Sequence, residues 1–156
     1  MTLLVPLELR VMPTYVVMSK LNMLNSFAGL IIPISASAIA TFFFRQFYKS
    51  IPEELLEAAK LDGTNSWKFF IDFLVPLSKT MIAAVFIFMF VFGYNQYLWP
   101  LIMTTTEEYS TVVIGLKTMY GSISHRLAFV IMSMIPPVVI IIFLQKWFIQ
   151  GIFQNK

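Results

Sequence analysis

The chain contains no cysteine and only one histidine, His125, among its 156 residues. A cysteine-ligated metal is therefore excluded, and a histidine-based metal site is disfavoured. Glycine is scarce as well, with six residues, and no G-x-x-x-x-G-K-[ST] sequence is present to hold the phosphates of ATP. No Ser/His/Asp set or pair of carboxylates lies within the long apolar runs. We therefore expect this chain to have no catalytic residues, no metal and no cofactor of its own.

Charged residues are also scarce in this chain. They make up 12% of the chain, against roughly 25% in soluble domains, while 58% of the residues are hydrophobic. This composition predicts a membrane protein. The formal net charge of +3 does not indicate nucleic acid, because the basic residues lie beside apolar runs, where membrane topology and lipid headgroups account for them.

Three uncharged runs are long enough to cross a bilayer, which takes about 20 apolar residues. They predict spans at about residues 28–48, 80–103 and 127–148. A shorter apolar piece at about residues 2–19 contains charges and prolines, and we expect it to be part of a span whose beginning is absent. Residues 1–156 are therefore expected to form the C-terminal part of a transmembrane domain. The predicted fold is all-α, a polytopic bundle of membrane helices.

The distribution of lysine and arginine predicts the orientation of the bundle. The connection between the first two full spans is rich in basic residues, whereas the next connection, residues 104–126, has two basic residues against two glutamates. Basic loops stay preferentially in the cytoplasm. The helical hairpin at residues 50–77 and the C-terminus are thus expected to be cytoplasmic, and residues 104–126 to be external. The basic residues of the first connection are Arg45, Lys49, Lys60, Lys68 and Lys79.

The hairpin shows signals for a short helix that begins after Pro52 and ends near Gly63. Pro52 suits a first turn, and Glu53 and Glu54 would face the positive end of the helix dipole. Glycine adopts the left-handed conformation at low cost, which ends a helix. A second helix through the aromatic residues is expected to follow and to be interrupted at Pro76.

The same hairpin contains a spaced motif. Glu57-Ala58-Ala59 is followed after three residues by Gly63, and after nine more by Phe73-Leu74-Val75-Pro76. This spacing resembles the EAA loop of the membrane subunits of bacterial ATP-binding-cassette (ABC) importers, whose pattern has isoleucine and leucine at the positions of Phe73 and Val75. With NQYLWPLI further on, the chain is similar to the carbohydrate-uptake class, and especially to the second permease subunit of importers for glycerol-3-phosphate and related sugars.

The resemblance implies a function. In this family a short helix docks in a groove of a cytoplasmic ATPase, whose closure on ATP switches the bundle between inward-facing and outward-facing states in the inner membrane. The implied partners are a second permease subunit in a heterodimer, two ATPase subunits, an external solute-binding protein and membrane lipid. Complete members are roughly twice as long, with six spans. The coupling residues carried over from the motif are Glu57, Ala58, Ala59, Asp62 and Gly63.

Polar residues also occur within the second predicted span. Unpaired amides are expensive in hydrocarbon, so Asn95 and Gln96 are expected to face the bundle or a watery cavity. Either they form hydrogen bonds between helices, or they line a solute path together with Tyr94 and Trp99. If the solute is anionic, Arg10 is a candidate contact, although snorkelling or structural pairing is the better explanation of this residue.

Two other classes of protein remain open from the residues alone. An ion-coupled secondary carrier usually has acidic residues inside its spans, and the three full spans predicted here have none. A non-transporting membrane scaffold or receptor would explain a docking helix but not the polar residues around Asn95. Co-purification of an ATPase would favour the importer, and a requirement for a proton gradient would favour the carrier.

Overall fold

The computed structural model describes residues 5–61 and 63–153, and all regular structure in this part of the chain is helical. The predicted all-α class is thus confirmed. A 3₁₀ turn, Glu107–Tyr109, and a π-helical segment, Phe70–Leu74, accompany the α-helices. The α-helices are α1 (Leu7–Lys20), α2 (Phe27–Ser35), α3 (Ala38–Lys49), α4 (Glu53–Leu61), α5 (Ser66–Phe69), α6 (Val75–Leu77), α7 (Lys79–Tyr94), α8 (Leu98–Met103), α9 (Val112–Thr118) and α10 (Ile123–Phe153).

Two stretches of the described residues, Phe27–Lys49 and Ile123–Gln145, are long and apolar enough to cross a membrane. A third candidate is the pair Ser66–Leu77 and Lys79–Tyr94, which is bent by 71°. The apolar side chains along these stretches are largely exposed; Ile131 and Phe143 each have 66% of their surface free. Because water would make such exposure costly, outward-facing apolar side chains indicate a hydrocarbon environment.

The first of these stretches contains a local break. Ala36, between α2 and α3, has φ −77° and ψ 61°, the geometry of an inverse γ-turn. The amide of Ser37 donates to the carbonyl of Ser35 at 2.9 Å, as this turn requires. The Ser35 hydroxyl donates to the carbonyl of Ile31, four residues earlier in α2, at 2.8 Å.

Tyr94 and the three residues after it were expected to lie inside one helix, which is correct for Tyr94 and wrong for residues 95–97. Helix α7 ends at Tyr94, and α8 begins only at Leu98. Pro100 explains the break, because it has no N–H to donate to the carbonyl of Gln96 and its ring would crowd that carbonyl. The carbonyl of Val91 accepts two hydrogen bonds from Asn95, one from its backbone amide at 3.1 Å and one from its side-chain amide at 2.8 Å.

The described residues fall into two compact units. One lies in Met1–Ala38 and Phe90–Val139, and the other in Ile39–Met89 and Ile140–Lys156. The core of the first unit joins α1 to α8 through apolar side chains that are nearly inaccessible to solvent. Its buried members are Val11, Met18, Trp99 and Met103.

The second unit contains the hairpin and the helix ends that support it. Ser78, the single residue between α6 and α7, is completely buried. Its hydroxyl donates to the carbonyl of Leu74 at 2.5 Å and lies 3.4 Å from the Tyr48 hydroxyl on α3. This contact joins the base of the hairpin to the last turn of α3.

Candidate functional site

The candidate site is built on α4, the nine-residue helix Glu53–Leu61. The structure confirms the helix predicted between Pro52 and Gly63. Glu53 and Glu54 occupy its first turn, where carboxylates stabilise the positive end of the helix dipole. The carbonyl of Pro52 accepts a hydrogen bond from the amide of Leu55 at 3.3 Å, which closes the first turn.

The three residues of the EAA motif have different surroundings. Glu57 and Ala58 are exposed, whereas Ala59 keeps only 5% of its surface accessible. Among the described residues, Glu57 makes no ion pair and no hydrogen bond through its carboxylate. The Ala59 methyl group is thus buried on one side of α4, while Glu57 and the small residue Ala58 are exposed.

The helix ends in a geometry that only a few residue types tolerate. Gly63 has φ +68°, in the left-handed region, and the amide of Thr64 donates to the carbonyl of Ala59 at 3.0 Å. A hydrogen bond from the residue after a left-handed glycine to the carbonyl five residues earlier is the Schellman motif. The fifth residue of the predicted set, Asp62, lies outside the described residues.

The chain returns from the hairpin through α5, the π-helical segment Phe70–Leu74 and α6. The amide of Val75 donates to the carbonyl of Phe70, five residues back, so this turn contains one residue more than an α-helical turn. Pro76 explains the widening, since it cannot donate to the carbonyl of Asp72 and its ring would clash there. The last four residues of the motif, 73–76, therefore sit where the helix changes its hydrogen-bonding pattern.

An open groove of about 600 Å³ lies between α4, the returning segment and the end of α3. Tyr48, Ala59, Phe69 and Leu74 are among its lining residues, and its surface is mainly apolar. No group of three or more histidine, cysteine, aspartate or glutamate residues that could hold a metal occurs in the described part of the chain.

The four residues proposed for a solute path are only partly free to meet a solute. The Tyr94 hydroxyl donates to the carbonyl of Ser133 at 2.5 Å, and the Trp99 indole, which is 4% exposed, donates to the carbonyl of Leu30 at 3.3 Å. Asn95 is exposed and Gln96 is half-buried, on the non-helical link between α7 and α8. The link thus presents amide groups, while the aromatic residues on either side of it are bonded to the backbone of other helices.

Arg10, on α1, has an unusual environment for a cation. Its side chain is half-buried, and its Nε atom is buried with no hydrogen-bond partner in the described part of the chain. Glu8, two residues away, is exposed and forms no ion pair with it among the described residues. A half-buried guanidinium with an unused donor is therefore present in the first unit.

Sequence reasoning missed the residues that hold these elements in place. Ser78 and Tyr48 join the hairpin to α3, and nothing in their spacing along the chain indicates this contact. Ser133 accepts the Tyr94 hydroxyl; here a signal existed, because Pro137 stands four residues later and leaves the Ser133 carbonyl without its helical donor.

The molecule is thus a helical protein of the membrane with a short helix, α4, that carries three exposed glutamates, Glu53, Glu54 and Glu57. The chain belongs to the family described as "Binding-protein-dependent transport system inner membrane component", which matches residues 1–154. Membership of this family gives the chain a place in the inner membrane.

Several curated proteins are similar to the whole chain. The sn-glycerol-3-phosphate transport system permease protein UgpE of Yersinia enterocolitica is 43% identical over 162 residues, which cover 100% of this chain and 58% of the relative. Proteins of the same name from Brucella melitensis and Shigella flexneri are 42% and 44% identical, each over 99% of this chain and 57% of the relative. The chain therefore spans less than two thirds of the length of these relatives. They are named as transport permeases and not as enzymes.

Proposed function

We propose that this chain forms part of the permease of an ATP-driven importer, which moves a sugar or a solute like glycerol-3-phosphate into a bacterial cell by alternating access. The observation that carries the proposal is the exposure of Glu57 and Ala58 on a short helix whose opposite side is anchored by Ala59. A small residue beside a lone carboxylate allows close approach of a groove that carries a positive charge.

The partner at this helix would be a cytoplasmic ATPase subunit, present in two copies, which hydrolyses ATP for the complex. An arginine of that subunit would hold the Glu57 carboxylate, and Gly63 would fix the direction in which the chain leaves the docked helix. A second permease subunit would complete a heterodimer, and an external binding protein would deliver the solute. The relatives' names support this composition, because their systems are transport systems with permease components.

The orientation that follows places residues 50–77 and the C-terminus in the cytoplasm. The link from residue 104 to residue 126 would then be external. The basic residues around the hairpin support this arrangement. Arg45 and Lys49 are both exposed on the last turns of α3, at the level expected for lipid headgroups.

The solute path would pass the link between α7 and α8. Asn95 and Gln96 supply amides that can bind hydroxyl groups, whereas Tyr94 and Trp99 position the link through their own hydrogen bonds. If the solute carries a phosphate, Arg10 supplies a matching cation, because its Nε donor is unused among the described residues.

The proposal is tested by reversing the charge of Glu57. In the native importer, a tagged chain carrying Glu57→Lys should insert into the membrane but lose the co-purifying ATPase and solute uptake, because a buried arginine would lose its partner at a cost of about 2–5 kcal/mol. Glu54→Lys is the matched control, since Glu54 is also exposed on α4. Normal ATPase recovery and uptake with Glu57→Lys would overturn the docking role, and uptake that needs only a proton gradient would indicate a secondary carrier.

A further inference from the structure

The last helix, α10, contains two adjacent prolines, Pro136 and Pro137, and nevertheless continues from Ile123 to Phe153. Each proline lacks a backbone N–H, so the carbonyls four residues earlier, at Met132 and Ser133, lose their usual donors. In hydrocarbon no water is present to replace those donors, and an unpaired carbonyl is costly. Something within the protein has to satisfy them.

The structure shows the replacement donor for one of the two carbonyls. The Tyr94 hydroxyl donates to the carbonyl of Ser133 at 2.5 Å. The side chain of Ser133 does not compete for it, since its own hydroxyl donates to the carbonyl of Val130 at 2.7 Å. The ring of Tyr94 packs against Phe90, one turn earlier on α7, with 5.7 Å between ring centroids.

Tyr94 is well placed to hold this bond. It is the last residue of α7, half-buried, and both bonded residues belong to the first compact unit. Along the sequence this unit ends at Val139, two residues after Pro137. The hydrogen bond therefore lies beside the point where α10 leaves the first unit.

We infer that Tyr94 is a positioning residue whose hydroxyl replaces the hydrogen bond that Pro137 removes, and that this bond keeps α10 helical across the proline pair. When the bond is absent, α10 can bend at this position. The inference does not depend on which solute the protein transports or on which partner the hairpin binds.

A double-mutant cycle between Tyr94 and Pro137 tests the inference. Tyr94→Phe removes the hydroxyl and keeps the ring, while Pro137→Ala restores an N–H that can donate to the carbonyl of Ser133 directly. The chain has no cysteine, so spin labels can be attached to cysteines introduced at Leu127 and Gln145, on either side of the prolines. Pulsed electron spin resonance on the full chain in lipid nanodiscs then reports the fraction of molecules with a bent α10.

The expected result is specific to one proline. Tyr94→Phe should raise the bent-to-straight ratio roughly threefold, the factor that corresponds to an average hydrogen bond between membrane helices. In the Pro137→Ala background the same substitution should have no effect. The matched control is Pro136→Ala, which restores a donor only for the carbonyl of Met132, so the threefold effect of Tyr94→Phe should persist there.

Two results would overturn the inference. One is an unchanged distance distribution when Tyr94→Phe is made in the native background. The other is an effect of equal size in the native and Pro137→Ala backgrounds, which would mean that Tyr94 acts on α10 by packing alone. Because the readout is the conformation of one helix, neither result bears on the proposed coupling to an ATPase.

Discussion

Neighbouring residues of the EAA motif differ sharply in their exposure on α4. Ala59 is 5% exposed and lines the groove beneath the hairpin, while Ala58 next to it is exposed. The small methyl group of alanine suits both the buried position of Ala59 and the exposed position of Ala58. At Ala59 it fits between α4 and the returning segment, and at Ala58 it leaves room for a partner's surface.

Gly63 provides a prediction about the backbone. A Cβ atom at this position would meet no other atom within 4 Å, so only the left-handed φ of +68° opposes a side chain. Gly63→Ala should therefore favour local opening of the hairpin by about 1–2 kcal/mol. With protease added to the purified chain, cleavage within residues 53–66 should accelerate about fivefold to thirtyfold.

Gly93 is the control for this substitution. A methyl group at Gly93 would also meet no other atom within 4 Å, but this residue lies in helix α7 without a positive φ. Gly93→Ala should leave hairpin cleavage unchanged and stabilise its helix by up to about 1 kcal/mol. Equal cleavage rates for the two variants would contradict the role given to the left-handed turn.

Helix α2 shows how one element of the first unit is fixed at its start. Ser26 caps it by accepting the amide of Gly29 at 3.1 Å. The preceding Asn25 is held by Thr105, whose amide donates to the Asn25 side chain at 2.6 Å. Gly29 is buried at the point where this turn meets α8.

A side chain at Gly29 should be poorly tolerated. A methyl group there would overlap the carbonyl oxygen of Met23 and the terminal methyl of Met103. Because a backbone carbonyl cannot move aside cheaply, Gly29→Ala should lower the free energy of unfolding of the detergent-purified chain by about 1–3 kcal/mol. Gly115→Ala is the control, since its methyl would meet only the Phe129 ring at an ordinary 3.8 Å; an equal loss in both variants would contradict this explanation.

The sequence predicts the elements whose signals are local. The apolar runs, the acidic start of α4 and the glycine that ends it all act within a few residues, and the structure contains the corresponding helices. The breaks at Ala36 and at residues 95–97 were not predicted, because in a bilayer the apolar pattern continues unchanged across them. Pro100 was a usable signal for the second break.

The candidate site, like the helix breaks, could be predicted from the sequence only in part. The motif spacing identifies Glu57, Ala58 and Ala59, but it does not reveal which of them faces outward. Exposure depends on the returning segment and on α3, which pack against α4 from elsewhere in the sequence. The bond of Tyr94 to Ser133 joins residues 39 positions apart and likewise depends on the tertiary arrangement.

Large apolar side chains are widely exposed in the described part of the chain, and few residues there are buried. Buried apolar residues of the described part are few, whereas leucine, isoleucine and phenylalanine side chains are widely exposed. Lipid and neighbouring membrane helices would cover such a surface, and the chain spans about 58% of the length of its relatives. On this account the polar hairpin is exposed to the cytoplasm, and the link from residue 104 to residue 126 is exposed to the external aqueous phase.

The central claim is that α4 protrudes into the cytoplasm and is held there by an ATPase. The absence of cysteine allows single-cysteine variants at Ala58 and, as the external control, at Glu108, both of which are exposed. A membrane-impermeant maleimide should label Glu108→Cys in intact cells. Ala58→Cys should be labelled only in inside-out vesicles, strongly after peripheral proteins are stripped and weakly while they remain bound. Labelling of Ala58→Cys in intact cells, or equal labelling before and after stripping, would contradict the account.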